Sequence, residues 1–137
     1  MRKIFISFIF VFCSYFSFSS HFMGGEITWE CIKAGPDVGK YIFQMKVYRD
    51  CNGITFSQTS QTLDAHNYPS LGNQTPILLN FISITDISPD GSILSGNNCF
   101  DCASGQVGAV EEYVWRSDPT IIGGTPPAEG WHFTWGS

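Results

Sequence analysis

Residues 27–48, ITWECIKAGPDVGKYIFQMKVY, hold two alternating runs on either side of a turn. Ile27, Trp29 and Cys31 alternate with Thr28 and Glu30. Tyr41, Phe43, Met45 and Val47 alternate with Gln44 and Lys46. A period of two is the pattern of a strand with one buried face. Between the runs, Ala34 to Lys40 carries Gly35, Pro36, Asp37 and Gly39, residues that favour tight chain reversal. The stretch therefore predicts a β-hairpin with a loop of several residues.

Strand character continues along the chain. Thr55 to Thr62, rich in Ser, Thr and Gln, reads as an edge strand or a loop, and Asn67 to Pro76 reads as turns. Ile77 to Ile87 is apolar on both faces, with Ile77, Leu79 and Phe81 opposing Leu78, Ile82 and Ile84; Pro76 and the β-branched content favour a buried central strand over a helix. Ser88 to Gly91 reads as a tight turn, Gly96 to Gly108 as a loop, and Val107 to Arg116 as another strand. After a Pro/Gly-rich stretch, Trp131, Phe133 and Trp135 alternate with His132 and Thr134, which predicts a last strand with an aromatic buried face. No segment holds a helical period. Short strands separated by Gly/Pro turns predict an all-β, antiparallel sandwich-like domain of the immunoglobulin-like kind. The chain stops just after its last strand, which suggests a domain truncated at its C-terminal end and an N-terminal piece of a longer modular protein.

The N-terminus sets the compartment. Arg2 and Lys3 precede an apolar run from Ile4 to Phe18, and Ser17 and Ser19 fit the small positions of a cleavage site. This describes a secretory signal peptide over residues 1–19, with a single β-rich domain over 20–137. A membrane anchor would need about 20 apolar residues, and Ser20 and His21 stop the run early. Cys13, in mid-run behind Phe12, is a poor lipid-attachment site. The expectation is a secreted or cell-surface protein, exported by the secretion machinery. Beyond the leader, five basic residues face twelve acidic ones, a net of about −7, with no cluster of Lys and Arg for nucleic acid to bind.

Four cysteines remain outside the leader: Cys31, Cys51, Cys99 and Cys102. An even number in an exported chain reads as disulfides, with three connectivities open. Cys99 and Cys102 have the spacing of half a zinc site or of a redox dithiol. No second pair completes a zinc site, and the surrounding Asn97, Asn98 and Gly105 give loop chemistry instead of a helix start.

Two blocks carry a family resemblance. His21 to Gly53 contains HFMGGEITWEC and YIFQMKVYRDCNG, and Val107 to Trp135 reads VGAVEEYVWRSDPTIIGGTPPAEGWHFTW. Together they resemble the N-terminal region of large exported surface proteins of Bacteroidetes-type bacteria, which often end in a gliding-motility-associated, type IX secretion sorting domain. The resemblance covers somewhat under half of the chain. It implies a modular surface protein used in adhesion or gliding motility, whose partners include other domains of the same long chain. It supplies no catalytic residues. It also implies a continuation, a cysteine-rich string close to C-C-R-N after the last aromatic strand, so that a cysteine within the present chain would lack its partner.

The residues point away from catalysis. Glu111 and Glu112, adjacent on a strand, face opposite sides and do not form a catalytic carboxylate pair. His21, His66 and His132 have no metal-ligand spacing. Asp86, Asp90 and Asp101 lack the loop pattern of a Ca²⁺ site, and Asn73-Gln74-Thr75 reads as an ordinary turn. Arg49 and Asp50, ahead of Cys51, read as an ion pair or turn anchor beside a disulfide. No cofactor or metal is expected. Trp29, Trp115, Trp131 and Trp135 read first as core, and alternatively as a platform on which sugars stack. The expected function is a non-catalytic structural or adhesive β-domain that binds surface proteins or glycans. The alternatives are a carbohydrate-binding module and an accessory domain of a secreted hydrolase.

Overall fold

A computed structural model describes residues 22–51, 53–66, 76–88, 102 and 108–136. The leader at 1–19, His21, the turns at 67–75 and 89–91, and Asp90, Asp101 and Cys99 lie outside the described residues. The described part is all-β. Its strands are β1 (Phe22–Cys31), β2 (Tyr41–Asp50), β3 (Gln61–His66), β4 (Ile77–Asp86), β5 (Val110–Ser117) and β6 (His132–Gly136).

All six belong to one antiparallel sheet, in the order β1-β2-β5-β4-β3-β6. Two sheets packed face to face, as a sandwich would have them, are not seen among the described residues. The single sheet curls until it is nearly closed. A sheet with one apolar face and no second layer must bury that face against itself. Phe133 of β6 meets Phe43 of β2 with ring centroids 4.7 Å apart, although three strands separate them in the sheet order.

The register shows why these residues share the interior. Opposite Met45 stand Ile27 and Trp115, and opposite Val47 stand Gly25 and Tyr113. Residues directly opposite in a ladder point to the same face. The core is Phe43, Met45, Val47, Leu63, Ile77, Leu79, Tyr113 and Trp115. Tyr113 and Trp115 stack along β5 at 5.8 Å, and Phe81 meets Trp115 edge-on. The segment after β2 is mostly exposed but turns Phe56 against the core. Phe56 packs edge-on against Tyr113, and the Thr59 carbonyl accepts the buried Trp115 indole N–H at 2.9 Å.

The central strand differs from its sequence reading in one respect. β4 lies between β3 and β5, but only Ile77, Leu79, Phe81 and Ile84 turn inward. Leu78 and Ile82 are exposed, because no layer covers the outer face among the described residues. A bulge between Phe81 and Ser83 inserts Ile82 and resets the alternation, so that Ile84 pairs with Tyr113 on the inner side. β3, with only Leu63 and Ala65 as inward apolar residues, carried too little alternation to be read as a separate strand.

Two glycines are required by backbone geometry. Gly39 closes the β1–β2 hairpin at φ 86°, with its N–H donating to the Ile32 carbonyl. Gly25 lies so close to β2 that a Cβ would sit 2.7 Å from the Lys46 carbonyl oxygen. That contact is with backbone, which cannot swing aside. Gly25→Ala is expected to lower stability by about 1–3 kcal/mol, the usual cost of overpacking, as a shifted denaturant midpoint with an unchanged slope.

Candidate functional site

Closure of the sheet is incomplete, and the open seam between β1 and β6 is where its inner face reaches solvent. Among the described residues, β1 pairs only with β2, and β6 only with β3. At one end, Phe22 and Trp135 approach to 6.4 Å between ring centroids, and both touch Phe56. The Trp135 indole N–H donates to Gln61 Oε1 at 3.0 Å. Toward the other end the edges leave Trp29 64% exposed, its ring edge-on to Tyr41 at 5.8 Å. Phe22 and Met23 are more than half exposed as well.

Two hollows follow this seam, and another lies on the outer face beside it. One of about 260 Å³ is walled by Trp29, Tyr41, Phe43, Trp131 and Phe133. A second, of about 200 Å³, lies between Ile27, Val47, Phe22 and Trp135. The third, of about 390 Å³, opens on the outer side of Trp29 between Thr28, Glu30, Gln44 and Arg116. Two of them are aromatic and apolar, and the third has hydrogen-bonding walls. The four tryptophans thus divide. Trp115 has no accessible surface and serves the core, Trp131 is half-buried in the first hollow, and Trp29 and Trp135 are exposed on the two sides of the seam.

The outer face of β1, β2 and β5 is charged. Lys46 lies 3.0 Å from Glu112 and 3.9 Å from Glu26, and Arg116 is paired with Glu30 at 2.5 Å. Hydrogen bonding to Glu112, assisted by its charge, raises the Lys46 pKa. Glu26 has the looser cation, although Tyr48 also donates to it at 3.3 Å.

A polar clip closes the far end of the core. Arg49 is 5% exposed and sits opposite Glu111 in the β2–β5 register. Its Nε and Nη2 donate to Glu111 Oε2 at 2.9 and 2.7 Å, and its Nη1 donates to the Gly53 carbonyl. Tyr113 adds a hydroxyl donor to the same carboxylate oxygen at 3.1 Å. Burial opposes the Arg49 charge, but hydrogen bonds to Glu111 and Tyr113 outweigh it and raise its pKa. Burial pushes the Tyr113 phenol up. Glu111 faces in and Glu112 faces out, on opposite sides of β5.

Beside this clip, Cys51 and Cys102 form a disulfide with Cα atoms 5.2 Å apart. Cys31, at the end of β1, has no disulfide partner among the described residues. The sulfurs of Cys51 and Cys102 and the Glu111 carboxylate lie within 4.8 Å of one another. The sulfurs are bonded to each other and Arg49 occupies the carboxylate, so this cluster has no free ligand set for a cation. Asp86, considered above for Ca²⁺, is likewise engaged. Its Oδ2 accepts the Cys102 N–H at 2.8 Å, and its Oδ1 accepts from the Ser88 N–H and hydroxyl. Ser88 Oγ in turn accepts the Val110 N–H at 2.9 Å. Asp86 therefore holds the backbone of Cys102. Sequence reasoning identified Arg49 as an ion-pair residue but had no way to pair it with Glu111, 62 positions away. Compared with family models, curated proteins and solved structures, the chain matches none.

Glu111→Leu leaves the Arg49 guanidinium buried without its counter-ion and should cost about 3–5 kcal/mol, whereas Arg49→Met with Glu111→Leu should restore most of the loss; equilibrium denaturation of the three proteins measures both. The Asp86 pKa is held below its ordinary 3.8 by hydrogen bonds from Ser88 and Cys102. A depressed carboxylate stabilises the fold above its unfolded pKa, and that contribution disappears as pH falls through the folded value. Acid unfolding below about pH 4 should therefore be shallower in Asp86→Ala, and hydrogen exchange at the Cys102 amide faster at neutral pH.

Proposed function

We propose that this chain is a non-catalytic β-domain of an exported or cell-surface protein, with a structural or adhesive role, and that it binds through the seam between β1 and β6. The observation that carries this reading is the set of large apolar side chains in solvent along that seam, with Phe22 and Met23 more than half exposed at one end and Trp29 64% exposed toward the other. Large apolar side chains left in solvent along one edge mark an interaction site. The leader-like residues 1–19 and the Cys51–Cys102 bond support an oxidising compartment. The resemblance to gliding-motility-associated surface proteins supports the adhesive role. We read the complete domain as sandwich-like, because β6 lies over β2 across the interior.

A carbohydrate-binding role is a second reading. Trp29 offers an exposed aromatic surface, and Glu30, Gln44 and Arg116 line the hollow beside it. Sugar recognition uses such a pairing of ring and hydrogen-bonding rim.

The exported chain, immobilised on beads, should bind protein-coated or glycan-coated surfaces, and Trp29→Ala should weaken that binding by about 2 kcal/mol or more, as expected for a tryptophan anchor. Glycan-coated surfaces alone would select the second reading. An unprocessed cytosolic chain with Cys51 and Cys102 reduced, or binding indifferent to Trp29→Ala, contradicts the proposal.

A further inference from the structure

We propose that the unpaired edge of β1 takes an added strand, an extended segment of a partner protein with apolar residues at alternate positions and lysine or arginine between them. The inference rests on reading the seam as a docking surface, and it names the partner's chemistry. β1 is ten residues long and, among the described residues, hydrogen-bonds on one side only, to β2. A row of unpaired backbone donors and acceptors is a template for strand addition, in which main-chain bonds give affinity and alternate side chains give specificity.

The inner side of β1 is shaped for alternate apolar side chains. Ile27, which lines one hollow, and Trp29, which lines another, are successive same-face residues of β1, about 6.6 Å apart, the repeat that an added strand would share. The outer side is shaped for cations. Glu26 and Glu30 share that face with their side chains about half exposed or more; Glu30 is already paired with Arg116, and Glu26 is the less engaged of the two. Glu26 lies 3.9 Å from Lys46, which is closer to Glu112.

Charge also argues against a second copy as the occupant. The chain carries a net charge of −5. The outward residues of its two edge strands include Glu26, Glu30 and no lysine or arginine. Edge-to-edge pairing of two copies of β1 would set these carboxylates against each other, and like charges opposite one another destabilise a ladder. A basic strand meets no such penalty.

The test uses two capped nine-residue peptides, one alternating valine with lysine and one alternating valine with glutamate, titrated against the disulfide-bonded chain by fluorescence anisotropy. Amide hydrogen exchange across β1 is read in parallel. The lysine peptide should bind saturably and slow exchange along residues 24–31, and the glutamate peptide should bind at least about tenfold more weakly. Glu26→Lys should weaken the lysine peptide about threefold to fivefold and strengthen the glutamate peptide. Equal binding of both peptides, or binding that leaves β1 exchange unchanged, overturns the proposal. So does self-association of the chain alone that protects β1, which would make a second copy the occupant. An apolar dye separates the two levels of the argument. If the dye binds in a Trp29-dependent way and neither peptide does, the strand proposal fails and the docking surface stands; if nothing binds, both fail.

Discussion

A lone sheet with one apolar face has nothing to bury that face against except its own far edge. That constraint organises the whole described structure. Phe43 on β2 finds Phe133 on β6, and Met45, Val47, Leu63, Leu79, Tyr113 and Trp115 fill the space enclosed when the sheet curls. The bulge at Ile82 sharpens the bend, as an extra residue in one strand does. Phe56, from a segment with no secondary structure, fills the gap that the curl leaves at one end. Among the described residues closure stops short, and β1 and β6 are not paired with each other. The exposed aromatics are therefore a consequence of the topology: inward-facing residues sit where, among the described residues, no pairing joins β1 to β6.

The polar features answer a different demand. The core ends where β2 delivers Arg49 inward, and a buried guanidinium is tolerable only with its donors satisfied. Glu111, the Gly53 carbonyl and the face of Tyr113 satisfy it. The Cys51–Cys102 bond then ties the residue next to this clip to Cys102, 51 positions away, whose backbone Asp86 holds. A cross-link that closes so long a loop restricts the unfolded chain, an effect of about 4 kcal/mol on the chain-entropy estimate. Clip and cross-link together close one end of the sheet, opposite the hairpin turn.

What could be read in the sequence was whatever repeats at short range. The β1–β2 hairpin, the β5 alternation with Tyr113 and Trp115 inward, and the aromatic side of β6 follow from a period of two and from turn residues such as Gly39. The single curled sheet could not be read this way, because alternation tells which face is buried and not what buries it. The same limit separates the tryptophans. Trp29 and Trp115 sit in equally convincing patterns, and only their places in the sheet order, one at an edge and one in the centre, make the first exposed and the second core. Long-range pairs such as Arg49 with Glu111 or Cys51 with Cys102 leave no local mark at all, since either partner alone looks like an ordinary strand-end or loop residue.

β1 brings these strands of argument together. A natural edge strand is usually blunted by charge, a bulge or proline, and β1 carries a bulge at Phe22/Gly24 and the outward carboxylates Glu26 and Glu30. Those devices repel another copy of an acidic chain. They do not repel a basic one, and the inner side of the same strand, with Ile27 and Trp29 over open hollows, rewards apolar side chains from outside. An edge meant only to stay unpaired has no need of a 64% exposed tryptophan, whose burial against a partner would remove a large apolar area from water. Selective blunting by sign of charge, combined with an apolar inner face, is what distinguishes an edge that excludes its own kind from one closed to all partners.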